Sequence, residues 1–182
     1  KKAKQDNKMK KNLAIIIKAS QEFIRYSEDE LKNNKAVLAT LFESISETYI
    51  PLLNSLEKLE SLELSFRIGM VLPPVLCSLL INEKIQQLYI EWLDKKIELG
   101  TKELENSLDE NQKKQIQYYI DKTSQTKTDF TDKFNCNLIS KFNDFRHKGL
   151  VELLATCGTD VFIPHYFEYP EVISAQIETG FH

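Results

Sequence analysis

From Lys35 to Leu104 apolar residues recur every three or four positions, and only Pro51 and the Pro73-Pro74 pair disturb them. Leu38, Phe42, Ile45, Tyr49, Leu52, Leu56, Leu59, Leu62 and Phe66 form the first part of this seam. Val75, Leu79, Ile85, Leu88, Trp92, Ile97 and Leu104 continue it, with an ambiguous register between Ser78 and Asn82. A helix packed along its whole length needs this spacing. Proline inside a helix removes one backbone hydrogen bond and clashes with the carbonyl four residues back. That costs roughly 3 kcal/mol and usually bends the helix without ending it. Pro51, Pro73 and Pro74 are therefore read as curvature kinks, the last two as the place where a true break would fall. Unbroken, the helix is roughly 100 Å long at about 1.5 Å per residue, a rod rather than a globular element.

The flanking segments also read as helical. From about Lys4 to Lys32, Met9, Leu13, Ile16, Ile17, Phe23, Ile24 and Leu31 fall near one face of an amphipathic helix, and Asn33-Asn34 offers a turn after it. Gly100 weakens the end of the long segment, and Ser107-Leu108-Asp109-Glu110 has the form of a capping box, so a third helix is expected to start at Ser107. It carries Ile116, Ile120, Phe130, Phe134, Leu138, Phe142 and Phe145 and is expected to run to about Ala155. After Cys157-Gly158 the helical period is lost, and Val161 to Pro170 reads as an extended or irregular aromatic tail. The expected fold class is all-α: an elongated three-helix antiparallel coiled coil with kinked long helices, over residues 1-157, followed by a tail over 158-182.

Composition agrees with helices, since glycine and proline number five each among 182 residues. The net charge of −3 is too small to point to nucleic acid. Its distribution is uneven: ten bases and five acids up to Lys35, against three bases and eight acids from Ala36 to Asp94. Cys77, Cys136 and Cys157 are odd in number and lack a CxxC, which argues against a disulfide framework or a zinc site and fits a reducing compartment. The apolar run Val71 to Ile81 is too short to span a bilayer, so no transmembrane helix is expected. The first residues read like the middle of a helix, which points to a piece of a larger chain.

No P-loop, GxGxxG, HExxH, GxSxG or EF-hand pattern is present, and neither a metal nor a cofactor is expected. A thiol dyad between Cys136 or Cys157 and His147, His165 or His182 is the weaker reading, because both cysteines fall on or near an apolar helix side, where cysteine acts as a small hydrophobe. Phe145-Arg146-His147 resembles the Arg and His of helical HEPN-type ribonucleases, although that motif separates the two by several residues. Lys95, Lys96 and Lys102 before the expected hairpin, with Lys113, Lys114 and Lys122 after it, gather at its tip. There each could contribute about 1 kcal/mol against anionic lipid. Glu98, Glu103, Glu105, Asp109 and Glu110 offset them.

Several stretches carry a family resemblance. They are Lys18-Ala19-Ser20-Gln21-Glu22-Phe23, the run Leu41 to Leu59 with Glu63, Phe66 and Leu72, then Ile85 to Leu93, and Lys141 to Leu150. In type and spacing, from about Lys8 to Cys157, they resemble the BAR domain of sorting nexins, the PX-BAR type. The resemblance implies a non-enzymatic, crescent-shaped dimer, with itself or a related chain, that senses or induces curvature on endosomal membrane from the cytoplasm during sorting. Leu38, Ile45, Leu52, Leu56, Leu59, Phe66, Phe134, Phe142 and Phe145 would form the dimer and core seam, and the six tip lysines would meet anionic phospholipid. The acidic middle, with Glu43, Glu47, Glu57, Glu60 and Glu63, favours an alternative: a helical tether or adaptor that recruits a protein partner through the tail Phe162 to Pro170 without bending membrane.

Overall fold

The computed structural model of the chain describes residues 13–24 and 35–181. Three short parallel strands, β1 (Ile16–Lys18), β2 (Ile68–Val71) and β3 (Val151–Leu153), form one sheet in the order β1-β2-β3. Ile17 stands opposite Met70, and Gly69 opposite Glu152. The pairing runs past the strand ends, where Ala19 N–H donates to Val71 O at 3.0 Å and Leu154 N–H to Met70 O at 2.8 Å. Parallel strands need long crossovers, and here the crossovers are helical. The β-branched run Ile15-Ile16-Ile17 suits an extended backbone, and Met70 in the central strand is fully buried.

Between β1 and β2 lie α1 (Lys35–Ser44), a π-helical turn (Ile45–Tyr49) and α2 (Ile50–Ser61). The π-turn has a local cause. Pro51 has no N–H to donate and its ring crowds the preceding turn, and just before it Ile50 N–H reaches back five residues to Ile45 O. The run from Lys35 to Ser61 is long and apolar enough, by length and composition, to cross a bilayer. In this fold its Leu41, Ile45, Leu53 and Leu56 are buried against the rest of the chain. Glu63, at φ 53°, turns the chain out of the helix.

Between β2 and β3 come α3 (Pro74–Leu80), α4 (Glu83–Asn106), α5 (Glu110–Thr128), a second π-helical turn (Asp129–Lys133) and α6 (Leu138–His147). Pro73 is extended and precedes Pro74, which occupies the first turn of α3, where a missing N–H costs nothing. Side-chain oxygens of Asn82, Asp109 and Asn137 cap α4, α5 and α6, accepting from the N–H groups of Ile85, Asn111 and Ser140. After β3 a 3-10 turn (Ile163–Tyr166) leads to α7 (Pro170–Phe181).

One core joins these elements. Tyr89 sits in it, fully buried, 4.8 Å edge-on to Phe130 and 5.4 Å from Phe42, and its hydroxyl shares a 2.8 Å hydrogen bond with Ser46. Burying each such large apolar side chain contributes roughly 1.5–3 kcal/mol. Outside the core, Lys127–Asp94, Lys133–Glu57 and Lys148–Glu60 pairs, each at 2.6 Å, link α5 through α6 to α4 and α2. In each pair one partner is exposed and the other half-buried, so solvent screens them and each adds about 0–1 kcal/mol.

The all-α, coiled-coil expectation is overturned by the parallel sheet. The seam from Lys35 to Leu104 is no single rod: α2 ends at Ser61, β2 intervenes, and Pro73-Pro74 open a new helix rather than kink an old one. Leu62 and Phe66 keep a helical spacing by coincidence, the first exposed in a turn and the second packed against the core edge. Leu38, Ile45, Leu56, Phe134, Phe142 and Phe145 are buried in the core of this one chain, with Leu52 packed at its margin and Leu59 half-buried. The expected first helix falls partly outside the described residues, and residues 13–24 form β1 and a loop instead. The expected third helix is two helices, parted by the second π-turn and by Asn135 and Cys136 at φ 48° and 57°. The segment expected as an extended tail contains α7.

Candidate functional site

In a parallel sheet all carboxyl ends point to one edge, and the loops leaving that edge form the crevice where ligands bind. Here those loops are Ala19 onward after β1, Leu72-Pro73 after β2 and Leu154 to Phe162 after β3. Lys18, the last residue of β1, extends its ammonium to Asp160 Oδ1 at 3.0 Å. Ser20 donates its hydroxyl to Asp160 Oδ2. Asp160 thus joins the β3 loop to the β1 loop, across 140 residues of sequence from Ser20.

These groups border an open cleft of about 350 Å³, whose other walls include Thr156, Cys157, Thr159 and Phe162. The hydrogen bond from Ser20, then the ammonium of Lys18, hold the Asp160 carboxyl below the usual carboxylate range. It is therefore an acceptor and a fixed negative charge near neutral pH, not a proton donor. Lys18 and Ser20 supply donors, and the ring of Phe162 is exposed at the rim.

The β3 loop is held in shape by α7. Gly158 N–H donates to Gln176 O at 2.8 Å, and Thr159 N–H to Gln176 Oε1 at 2.9 Å. Gly158 and Gly180 allow the close approach: a Cβ on Gly158 would lie 2.9 Å from Thr179 Cβ. No group of three or more histidine, cysteine or acidic side chains among the described residues could hold a metal ion.

The lysines expected at a hairpin tip are spread along both of its arms. The α4–α5 hairpin exists, with Asp109 as the cap of its second helix; Lys102, Lys113 and Lys114 lie near the turn, the first two each paired with a glutamate of its own helix, Glu98 and Glu110. Lys96 lies over the Trp92 ring at 3.8 Å, and Lys122 pairs with Glu47 of the first π-turn at 2.6 Å. Lys95 and Lys114 are exposed. Pro51 follows the first π-turn, and of the segment Phe162 to Pro170 only Phe162 lines the cleft. Arg146 and His147 are exposed neighbours on the last turn of α6, and burial with nearby Asp132 pushes the Cys136 thiol up, away from thiolate. Neither arrangement makes the pocket that the HEPN or thiol readings require.

Sequence reasoning missed Lys18, Ser20 and Asp160 as a set. One local signal was available: three consecutive β-branched isoleucines ending at a charged residue suit a short strand, here the partly exposed edge strand of the sheet.

A family model described as Glycosyl hydrolase family 57 matches residues 14–181. A 1,4-alpha-glucan branching enzyme of Thermococcus kodakarensis is 29% identical over 140 residues, 77% of this chain and 20% of that protein. The alpha-amylase AmyC from Thermotoga maritima superposes with a TM-score of 0.75 at 28% identity, over 92% of this chain and 32% of that one. A GH57-type branching enzyme from Pyrococcus horikoshii superposes with a TM-score of 0.77 at 22% identity, over 92% of this chain and 31% of that one. The chain thus spans about a fifth to a third of the length of these relatives. The matches overturn the resemblance to the sorting-nexin BAR domain, and with it the non-enzymatic, curvature-sensing membrane scaffold. They give the tether or adaptor alternative no support either. The match takes in nearly the whole chain, which belongs to glycosyl hydrolase family 57.

Proposed function

We propose that the chain forms part of an enzyme acting on α-1,4-glucans, and that the strand-end cleft holds sugar hydroxyls. One observation carries this reading: Asp160, Lys18 and Ser20 converge from two loops at the carboxyl edge of a parallel sheet. A sugar hydroxyl is both donor and acceptor, and this cluster offers an ionised carboxylate, an ammonium and a hydroxyl within one hydrogen-bonded group. Family resemblance to branching enzymes and an amylase supports the glucan as the substrate class.

Glycoside cleavage or transfer ordinarily uses two carboxyl groups, roughly 5–9.5 Å apart, one of them protonated. The cleft supplies one, Asp160, and its depressed pKa excludes it as the general acid. Its role in this reading is to bind and orient the sugar. Isothermal calorimetry with maltoheptaose tests it. Saturable binding is expected, weakened about ten-fold or more in Asp160→Asn, which removes a charge-assisted hydrogen bond. Wild-type affinity in that variant would remove the cleft from the reading.

A further inference from the structure

A second and larger cavity, about 570 Å³, opens where the α4–α5 hairpin meets the first π-helical turn, and it shares no lining residue with the strand-end cleft. We propose that it is a separate sugar-binding site taking a short, neutral, α-linked glucose oligosaccharide. The α-linked glucose identity rests on the reading of the strand-end cleft given above; the neutral, polyhydroxylated character of the ligand rests on the cavity alone.

The size falls within the range of small-molecule sites, about 300–1,000 Å³. Its walls combine Trp92 from α4 and Tyr119 from α5, over a floor that includes Leu93 and Ile120. Aromatic rings beside polar groups suit the two surfaces of a pyranose, an apolar C–H face and an equatorial fringe of hydroxyls. The charges at the rim decide the ligand's own charge. Glu43 and Glu103 are exposed carboxylates, whereas Glu47 is neutralised by Lys122 at 2.6 Å and Lys96 brings a further positive charge. An anion would face Glu43 and Glu103, and a cation would face Lys96 and Lys122. A neutral ligand with many donors and acceptors satisfies both.

The backbone is shaped around this cavity. The π-turn replaces regular helix at the residues that supply Ser46 and Glu47 to the wall, and such turns are frequent at functional sites. Gly100, in mid-helix, lets α4 approach α5 so closely that a Cβ there would stand 2.8 Å from Ile120 Cγ1. Ser46 in turn fixes Tyr89, which stacks at 6.1 Å from Trp92 and holds that ring in place. Lys96 occupies the remaining ring surface at 3.8 Å, and being exposed and flexible it can swing aside for a sugar.

Trp92 is the single tryptophan of the chain, so its fluorescence reports on this cavity alone. Titration with maltoheptaose is expected to give a saturable fluorescence change that persists in Asp160→Asn. Replacing the exposed carboxylates in a Glu43→Ala/Glu103→Ala double variant should weaken it about ten-fold. Lys96→Ala should strengthen it up to about five-fold, by freeing the ring from an exposed cation–π contact. No fluorescence change, or a change abolished by Asp160→Asn, or one indifferent to the Glu43/Glu103 double variant, would overturn the proposal. If fluorescence responds as expected while Asp160→Asn leaves the calorimetric binding isotherm unaltered, the strand-end reading fails and this one stands.

Discussion

Gly180 of α7 lies so close to Thr156 that a Cβ built on it would stand 1.7 Å from the Thr156 carbonyl oxygen. The contact is with backbone, which cannot rotate away, so any side chain at position 180 must push α7 off the β3 loop. Gly180→Ala is expected to destabilise the chain by about 1–3 kcal/mol, as overpacking does. Because α7 also holds Gly158 and Thr159 through Gln176, the same variant should weaken maltoheptaose binding at the strand-end cleft. Urea unfolding and calorimetry check the two parts; an unchanged denaturation midpoint would mean that α7 does not anchor the loop.

The carboxyl of Asp160 provides a pH test with a defined sign. Its folded-state pKa is depressed by the Ser20 hydroxyl and by Lys18, below an unfolded value of about 3.9. The stability this contributes is present above pH of about 4 and is lost as the pH falls through the folded-state pKa. Removing either partner should raise the titration midpoint of Asp160 toward the ordinary carboxylate value. Carbon-detected NMR titration of the wild type, Ser20→Ala and Lys18→Ala reads this directly, and a midpoint unmoved in both variants would contradict the hydrogen-bonded geometry.

Some of this fold was legible in the sequence and some was not, for reasons that individual residues make plain. The α4–α5 hairpin was readable because Ile85, Leu88 and Trp92 keep a helical period over a helix long enough to display it, and because the Ser107–Asp109 stretch marks its end, whereas Gly100, expected to weaken that end, lies inside the helix. The strands were not. Ile68-Gly69-Met70-Val71 spans four residues, too few to show alternation, and a parallel strand covered on both faces reads as a continuous apolar run. Phe66 and Val75 on either side lie at distances that a helix would also allow, so the seam seemed to pass through. Asp160 and Ser20 become a site only once β1 and β3 are placed in one sheet, because no motif spans the intervening residues.

The hydrogen bond between Ser46 and Tyr89 is buried and joins the first π-turn to α4. Tyr89→Phe leaves the Ser46 hydroxyl without its partner, at a cost of about 1–2 kcal/mol, whereas removing both hydroxyls in Ser46→Ala/Tyr89→Phe should cost less than the two single changes summed. Phe130→Ala, which empties the ring site edge-on to Tyr89, should cost about 3–5 kcal/mol. Denaturation of the four variants forms a cycle with a control. Strict additivity would show that the two hydroxyls do not interact.

Two buried tyrosines predict a loss of stability in alkali. Burial pushes the Tyr49 phenol up to about 12, with Cys77 adding to the effect, and burial raises Tyr89 further still. In the unfolded chain a tyrosine ionises near pH of about 10. Between that value and the folded pKa the folded state binds the extra proton, so unfolding becomes more favourable as the pH rises. Stability should be flat up to pH of about 10 on this account. Above it, stability should fall by up to about 1.4 kcal/mol per pH unit for each tyrosine, with Tyr49 ceasing to contribute near pH about 12. Tyr49→Phe removes one ionisable group and should reduce the alkaline slope, measured by urea denaturation from pH 9 to 11.5. The Tyr89→Phe slope should fall likewise, even though that variant starts from lower stability. If both variants kept the wild-type slope, the alkaline loss would have to come from groups outside this core.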